Sequence, residues 1–180
     1  LRINLKKNIF LVTCHPETNK GIENKRLINE ILISLKYINE TTIIFTAPNS
    51  DIYSEYFISK VEKFVKIKKN SYFYRSLGKQ LFFSLLKNSN LMIGNSSSGI
   101  IEGPTLKIPT INIGDRQKGR LFSSNIINVK ADNKLINNAI REAKSNKFKN
   151  KMKKLKNVYE KKDKKLFIYK KILNLLNLQI

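Results

Sequence analysis

The sequence predicts an α/β domain, a parallel sheet with helices on both faces, and three observations predict it. Short apolar runs rich in β-branched residues alternate along the whole chain with stretches whose apolar residues recur at three- and four-residue intervals. Turn-forming Gly, Pro, Asn and Ser follow the apolar runs, where such strands hand over to helices. The 180 residues suffice for one compact domain with a real core. Alternating strand and helix give parallel strands joined by crossovers, with a ligand crevice at the strands' carboxyl ends.

The first strand is 8–13, Asn-Ile-Phe-Leu-Val-Thr, stopped by Pro16. His15 therefore stands at a carboxyl end, where position alone leaves both a structural and a catalytic role open. Residues 19–40 form a helix whose stripe is Leu27, Ile28, Ile31, Leu32, Leu35 and Ile38. Strand 42–46 follows, closed by the turn Pro48-Asn49-Ser50-Asp51. An amphipathic helix covers 52–65, strand 71–74 comes next, and Arg75-Ser76-Leu77-Gly78 leads into a helix over 79–86. Strands at 90–93, 109–113 and 125–129 complete the set. Asp132 caps a helix reaching Lys144, and the lysine-dominated 147–165 reads as a solvated helix face or linker. A terminal helix is expected over 155–180, with one stripe of Leu166, Tyr169, Ile172, Leu173 and Leu176.

The chemistry concentrates after the strand at 90–93. Gly94-Asn95-Ser96-Ser97-Ser98-Gly99 is a tight turn into a helix, and a helix start aims unpaired N–H groups and a positive dipole end at an anion. Glu102, six residues past Ser96, offers a carboxylate to sugar hydroxyls. Arg116 and Arg120 leave the next strand near the same mouth. Amide donors, hydroxyls, guanidinium groups and one acceptor are what a phosphate and a ribose require together.

Gly94–Glu102 with Pro109–Arg120 resembles the nucleotide-binding segment of the hydrolysing UDP-N-acetylglucosamine 2-epimerases of sialic-acid biosynthesis. The Asp-Ser-Gly-Gly and Thr-Glu-Arg-Pro-Glu patterns of the non-hydrolysing branch are missing. The resemblance implies a Rossmann-like domain, the carboxy-terminal half of a glycosyltransferase-B-type fold. It implies UDP contacts from Ser96, Ser97, Ser98, Gly99, Glu102, Arg116 and Arg120, and a base resting against Arg75 and Leu77. His15, in the family's His-Pro-x-Thr pattern, is implied to face the sugar as a catalytic residue. The implied reaction eliminates UDP from UDP-N-acetylglucosamine and adds water, giving N-acetylmannosamine. Its essential carboxylates belong largely to an amino-terminal domain, toward which the terminal helix would pack. No cofactor or metal is implied, and a homodimer or tetramer is expected.

Lone Cys14 and lone His15 provide neither a disulfide framework nor a zinc constellation. With no apolar run of transmembrane length and no signal pattern, the chain is expected to be cytoplasmic. Leu1 is not an initiator methionine, so a fragment or a processed chain is expected. The net charge of +22, from 35 basic against 13 acidic residues, invites a nucleic-acid reading. Abundant Asn, Ile and Lys instead suit an A/T-rich genome, and no RNA-binding motif interleaves aromatic with basic residues. A GDP-sugar epimerase or a glycosyltransferase of the same architecture remains the nearer alternative.

Overall fold

A computed structural model describes residues 8–18 and 20–160. The chain enters the sheet at its centre with β1 (Asn8–Thr13), crosses over through α1 (Gly21–Lys36), and pairs β2 (Thr41–Thr46) beside it. Helix α2 (Ser54–Ile67) leads outward to β3 (Ser71–Tyr74), which forms one edge. Helix α3 (Gly78–Lys87) then carries the chain back to the other side of β1, where β4 (Leu91–Gly94) docks. A single helical turn, α4 (Ser98–Ile101), precedes β5 (Thr110–Ile113), and β6 (Ile126–Val129) is the far edge. Helices α5 (Asn133–Lys144) and α6 (Asn146–Lys153) close the described chain. All five strand pairings are parallel and the order is β3-β2-β1-β4-β5-β6. The direction of winding reverses between β1 and β4, so a crevice opens there at the carboxyl ends. The predicted α/β class is the observed one.

Side-chain alternation explains why this sheet is covered on both faces. In β1, Phe10 and Val12 point into the cluster formed with α1, α2 and α5, while Ile9 and Leu11 point into the cluster formed with α3. Buried parallel strands are apolar on both faces, which is why β1 carries an unbroken apolar run from Ile9 to Val12. Ile31, at 0% exposure, anchors α1 against the first cluster. Truncation to Ala at such a site costs ~2–5 kcal/mol. Asp132 caps α5 as expected, accepting from the Leu135 amide at 3.0 Å.

Two local expectations change, and one open alternative is decided for its helical form. The helix expected from Ser96 onward lasts only one turn, because Pro104 has no N–H and disfavours a helical Gly103 before it. The lysine-rich stretch begins as a true helix, α6, with Phe148 and Met152 buried and Lys147, Lys149, Lys151 and Lys153 outside. Residues 155–160 are not helical. Their polar groups bond to loops instead: Asn157 Nδ2 donates to Thr105 Oγ1 at 2.7 Å, and Ser123 Oγ accepts from the Val158 amide at 3.0 Å. The apolar stripe from Leu166 to Leu176 lies outside the described residues.

Candidate functional site

The register brings the carboxyl ends level: Thr13 pairs with Thr46 of β2 on one side and Gly94 of β4 on the other. Gly94 has φ +135°, and a Cβ there would stand 2.0 Å from the Thr13 carbonyl oxygen. Only glycine lets β4 end so close to β1. The chain then delivers Ser96, Ser97 and Ser98 to a cavity of about 420 Å³ at the switch point. His15 and Arg116 join the serines on its polar side, and Leu77, Phe82 and Phe83 form an apolar wall.

Ser97 is the residue before α4, yet its hydroxyl caps no backbone amide. Among the described residues the amides of Ser96 and Ser97 donate to no acceptor. With α4 only one turn long, a macrodipole adds little. The donors that matter are these individual amides and hydroxyls.

His15 is 7% exposed, and its Nδ1 accepts the Asn49 amide at 3.0 Å. A neutral ring whose Nδ1 accepts must carry its proton on Nε2. Burial is the main cause that holds its pKa down at about 4, with the Arg116 charge adding to it and Asp51 opposing it. At neutral pH His15 is therefore an uncharged Nε2–H donor. Cys14 beside it is a buried free thiol that burial pushes far above its ordinary pKa, which makes it unreactive.

Arg116 Nη1 donates to the Asn95 carbonyl at 3.4 Å, and the buried Gln117 donates to the same oxygen at 2.7 Å. Among the described residues no carboxylate lies within ion-pair distance of Arg116. Its charge is left for a ligand. Arg75 also lines the cavity, with its Nη2 3.3 Å from Glu62 on α2.

The remaining predicted residues lie outside the cavity's lining. Gly99 is buried behind it, where a Cβ would meet Thr110 Cγ2 at 2.5 Å; it serves close packing of α4 on β5 and has no positive φ. Glu102 ends α4 and Arg120 is exposed on the loop after β5. Sequence reasoning missed Asn49, Asn95 and Gln117, which orient His15 and Arg116. Asn49 carried a signal, since its Pro-Asn-x-Asp turn matches the pattern of the resembled family. Among the described residues no cluster of three His, Cys, Asp or Glu forms a metal-binding group, and no helix is long and apolar enough to cross a membrane.

The family model described as UDP-N-acetylglucosamine 2-epimerase matches residues 1–173. The chain belongs to that family. Among curated 2-epimerase relatives, the Campylobacter jejuni GDP/UDP-N,N'-diacetylbacillosamine 2-epimerase (hydrolyzing) is 40% identical over 71% of this chain and 33% of its own length. The Escherichia coli polysialic acid biosynthesis protein P7 is 38% identical over 81% of this chain and 37% of its own length. The chain thus spans about a third of the length of the curated relatives it matches. The Neisseria meningitidis UDP-GlcNAc 2-epimerase structure bound to UDP-GlcNAc superposes with a TM-score of 0.76 at 16% identity, covering 96% of this chain and 46% of that one. Staphylococcus aureus MnaA with UDP gives 0.74 at 15% identity, covering 96% and 46%. At these identities the superpositions establish the shared fold of the 2-epimerases.

Proposed function

We propose that this chain is the nucleotide-diphosphate-holding part of a hydrolysing 2-epimerase acting on a UDP-linked 2-acetamido sugar. One observation carries the reading: Ser96, Ser97, Ser98, His15 and Arg116 face a single cavity whose other wall is Leu77, Phe82 and Phe83. Its polar half suits a diphosphate, and its apolar half suits a flat base. Family membership narrows the ligand to a nucleotide sugar.

In the proposed reaction a base removes the C2 proton while the C1–O bond to the diphosphate breaks, giving an enol-ether sugar and the nucleoside diphosphate. Water then adds across C1 and C2, giving the free epimerised sugar. The base and the acid for these steps are expected from the family's amino-terminal carboxylates. This chain's part is the leaving group. Arg116 meets the charge that grows on the departing phosphate, and the serine hydroxyls and the Ser96 and Ser97 amides donate to its oxygens. His15 donates its Nε2–H, held in that tautomer by the Asn49 amide. Glu102, just past α4 and outside the cavity's lining, is proposed as the ribose acceptor on the family resemblance alone. The Campylobacter jejuni relative is named for GDP as well as UDP, which keeps a GDP-linked substrate as the second reading.

Calorimetric titration with UDP, GDP and pyrophosphate at fixed salt tests this. UDP should bind with a shallow salt slope, and Glu102→Gln should weaken UDP but leave pyrophosphate unchanged. Preference for GDP selects the second reading. Binding of RNA with a steep salt slope, and of neither nucleotide, would sink both.

A further inference from the structure

We propose that Asn95 is a positioning residue that holds His15 and Arg116 in mutual register for the diphosphate, a role that rests on the nucleotide reading above. Asn95 is 0% exposed and does not line the cavity, so it acts through its neighbours. Gly94 is the last β4 residue in register with β1; there the chain turns off the sheet. The Asn95 amide still donates to the Thr13 carbonyl at 3.3 Å, and beyond that bond the Asn95 side chain does the pairing. Its Oδ1 accepts the His15 amide at 2.7 Å and its Nδ2 donates to the His15 carbonyl at 2.8 Å. A carboxamide is a peptide group in miniature, so it continues the ladder one step after the backbone has left. The Asn95 carbonyl meanwhile accepts from Gln117 at 2.7 Å and Arg116 at 3.4 Å. One buried residue thereby joins the exits of β1, β4 and β5.

A second asparagine repeats the device on the other side of Pro16. Asn24 accepts the Glu17 amide at 2.8 Å and donates to the Glu17 carbonyl at 2.9 Å. The segment His15-Pro16-Glu17 is gripped at both ends. The Glu17 carboxylate continues to Lys20 at 3.2 Å, and Lys20 to Asp115 at 3.1 Å, next to Arg116. Two paths therefore connect the loop after β1 to the loop after β5. The Asn95 path is buried and reaches Arg116 itself, while the Lys20 path runs from the half-buried Glu17 and Lys20 to the exposed Asp115.

No near-isostere replaces Asn95. Asp keeps the acceptor but sets a carboxylate oxygen against the His15 carbonyl, and Ser cannot make both bonds. His15 is the only histidine of the chain, so its ring nitrogens can be followed without ambiguity by long-range 1H–15N spectroscopy. Asn95→Ser and Asn95→Asp should weaken UDP by about ten-fold or more, as small misplacements of a site do. They should also turn the single Nε2–H tautomer into a mixture. Asn24→Ser breaks the same kind of two-bond clamp and should leave the His15 spectrum unchanged. A folded Asn95→Ser protein with the wild-type tautomer and UDP affinity within about two-fold overturns the proposal. If neither Asn95 variant folds, Gln117→Leu decides, because it severs only the link to the β5 loop. It should weaken UDP by about five-fold with the His15 spectrum intact, and unchanged affinity overturns the proposal. A wild-type protein that binds neither UDP nor GDP defeats the nucleotide reading, and the His15 tautomer alone then decides the positioning role.

Discussion

Several cavities of similar size open at the carboxyl edge of this sheet, and two of them contrast in chemistry. The cavity between β1 and β4 measures about 420 Å³, and the one between α1 and the ends of β5 and β6 about 440 Å³. The second is rich in charge, with Glu17, Lys20, Glu23, Arg26, Asp115 and Lys130 in its walls. Glu17, Lys20, Glu23 and Asp115 answer one another, while Arg26 and Lys130 have no ion-pair partner among the described residues. Lys20 Nζ lies 3.1 Å from Asp115, 3.2 Å from Glu17 and 3.7 Å from Glu23, and the hydrogen bond to Asp115 leads the causes that raise its pKa. In the first cavity Arg116 has no carboxylate partner among the described residues, Ser97 caps nothing, and His15 presents an uncharged N–H. Volume does not distinguish the two. A lining of cations and N–H and O–H donors with no carboxylate in it does.

The sharpest contrast is between the glycines that shape the two cavities. Gly94→Ala would drive a Cβ to 2.0 Å from a backbone oxygen at φ +135°, and neither Thr13 nor β4 can yield without breaking the central pairing. Overpacking and backbone strain together predict a loss of more than about 3 kcal/mol, or failure to fold. Gly114→Ala, at φ +80°, meets only the end of the Glu17 side chain at 2.9 Å, which can move. Its cost should be about 1–2 kcal/mol. Thermal melts of the two variants measure the difference, and equal losses would break the comparison.

Next in size is the ligand effect. Arg116→Ala removes an unpaired charge from the proposed phosphate end and should weaken UDP ten- to a hundred-fold, from a hydrogen bond of ~1.5–3 kcal/mol. Lys20→Ala, in the self-neutralised cavity, should change UDP affinity by less than about two-fold. If titration finds the two losses alike, the distinction between the cavities fails.

The smallest effect is a pH dependence. The folded pKa of His15, at about 4, lies below its ordinary value of 6.5, so the unfolded chain binds more protons between these values. Stability is then complete above pH 6.5 and declines as pH falls toward 4. From about pH 7 to pH 5.5 the loss should be roughly 1 kcal/mol. Denaturant melts at the two pH values should show it in the wild type and not in His15→Gln. Equal slopes in both proteins would mean that His15 does not reside as a buried neutral ring.

Much of this architecture was legible before folding was considered, because local patterns carry it. The runs at 8–13, 42–46 and 90–93 fall within a residue of β1, β2 and β4, since an apolar β-branched run between turn formers has few other uses. The Ser-Gly loop after β4, the His-Pro turn after β1 and the arginine after β5 could be placed at carboxyl ends by the same alternation. Glu102 and Arg120 show where that logic stops. Both are near Ser97 or Arg116 in the chain, yet a one-turn α4 and the loop after β5 leave them outside the cavity's lining.

By itself, then, the sequence determined the class of fold, the carboxyl-edge location of the candidate site and the types of group available there, because each follows from short-range periodicity and turn chemistry. Tertiary structure alone decided which of those groups stay without partners. Asn95 reaches His15 across 80 residues, Asn49 sets its tautomer from 34 residues away, and Lys20 is neutralised from 95. Such pairings depend on which strand lies beside which and in what register. No local pattern encodes that, because the order β3-β2-β1-β4-β5-β6 is chosen by burying both faces of the sheet at once.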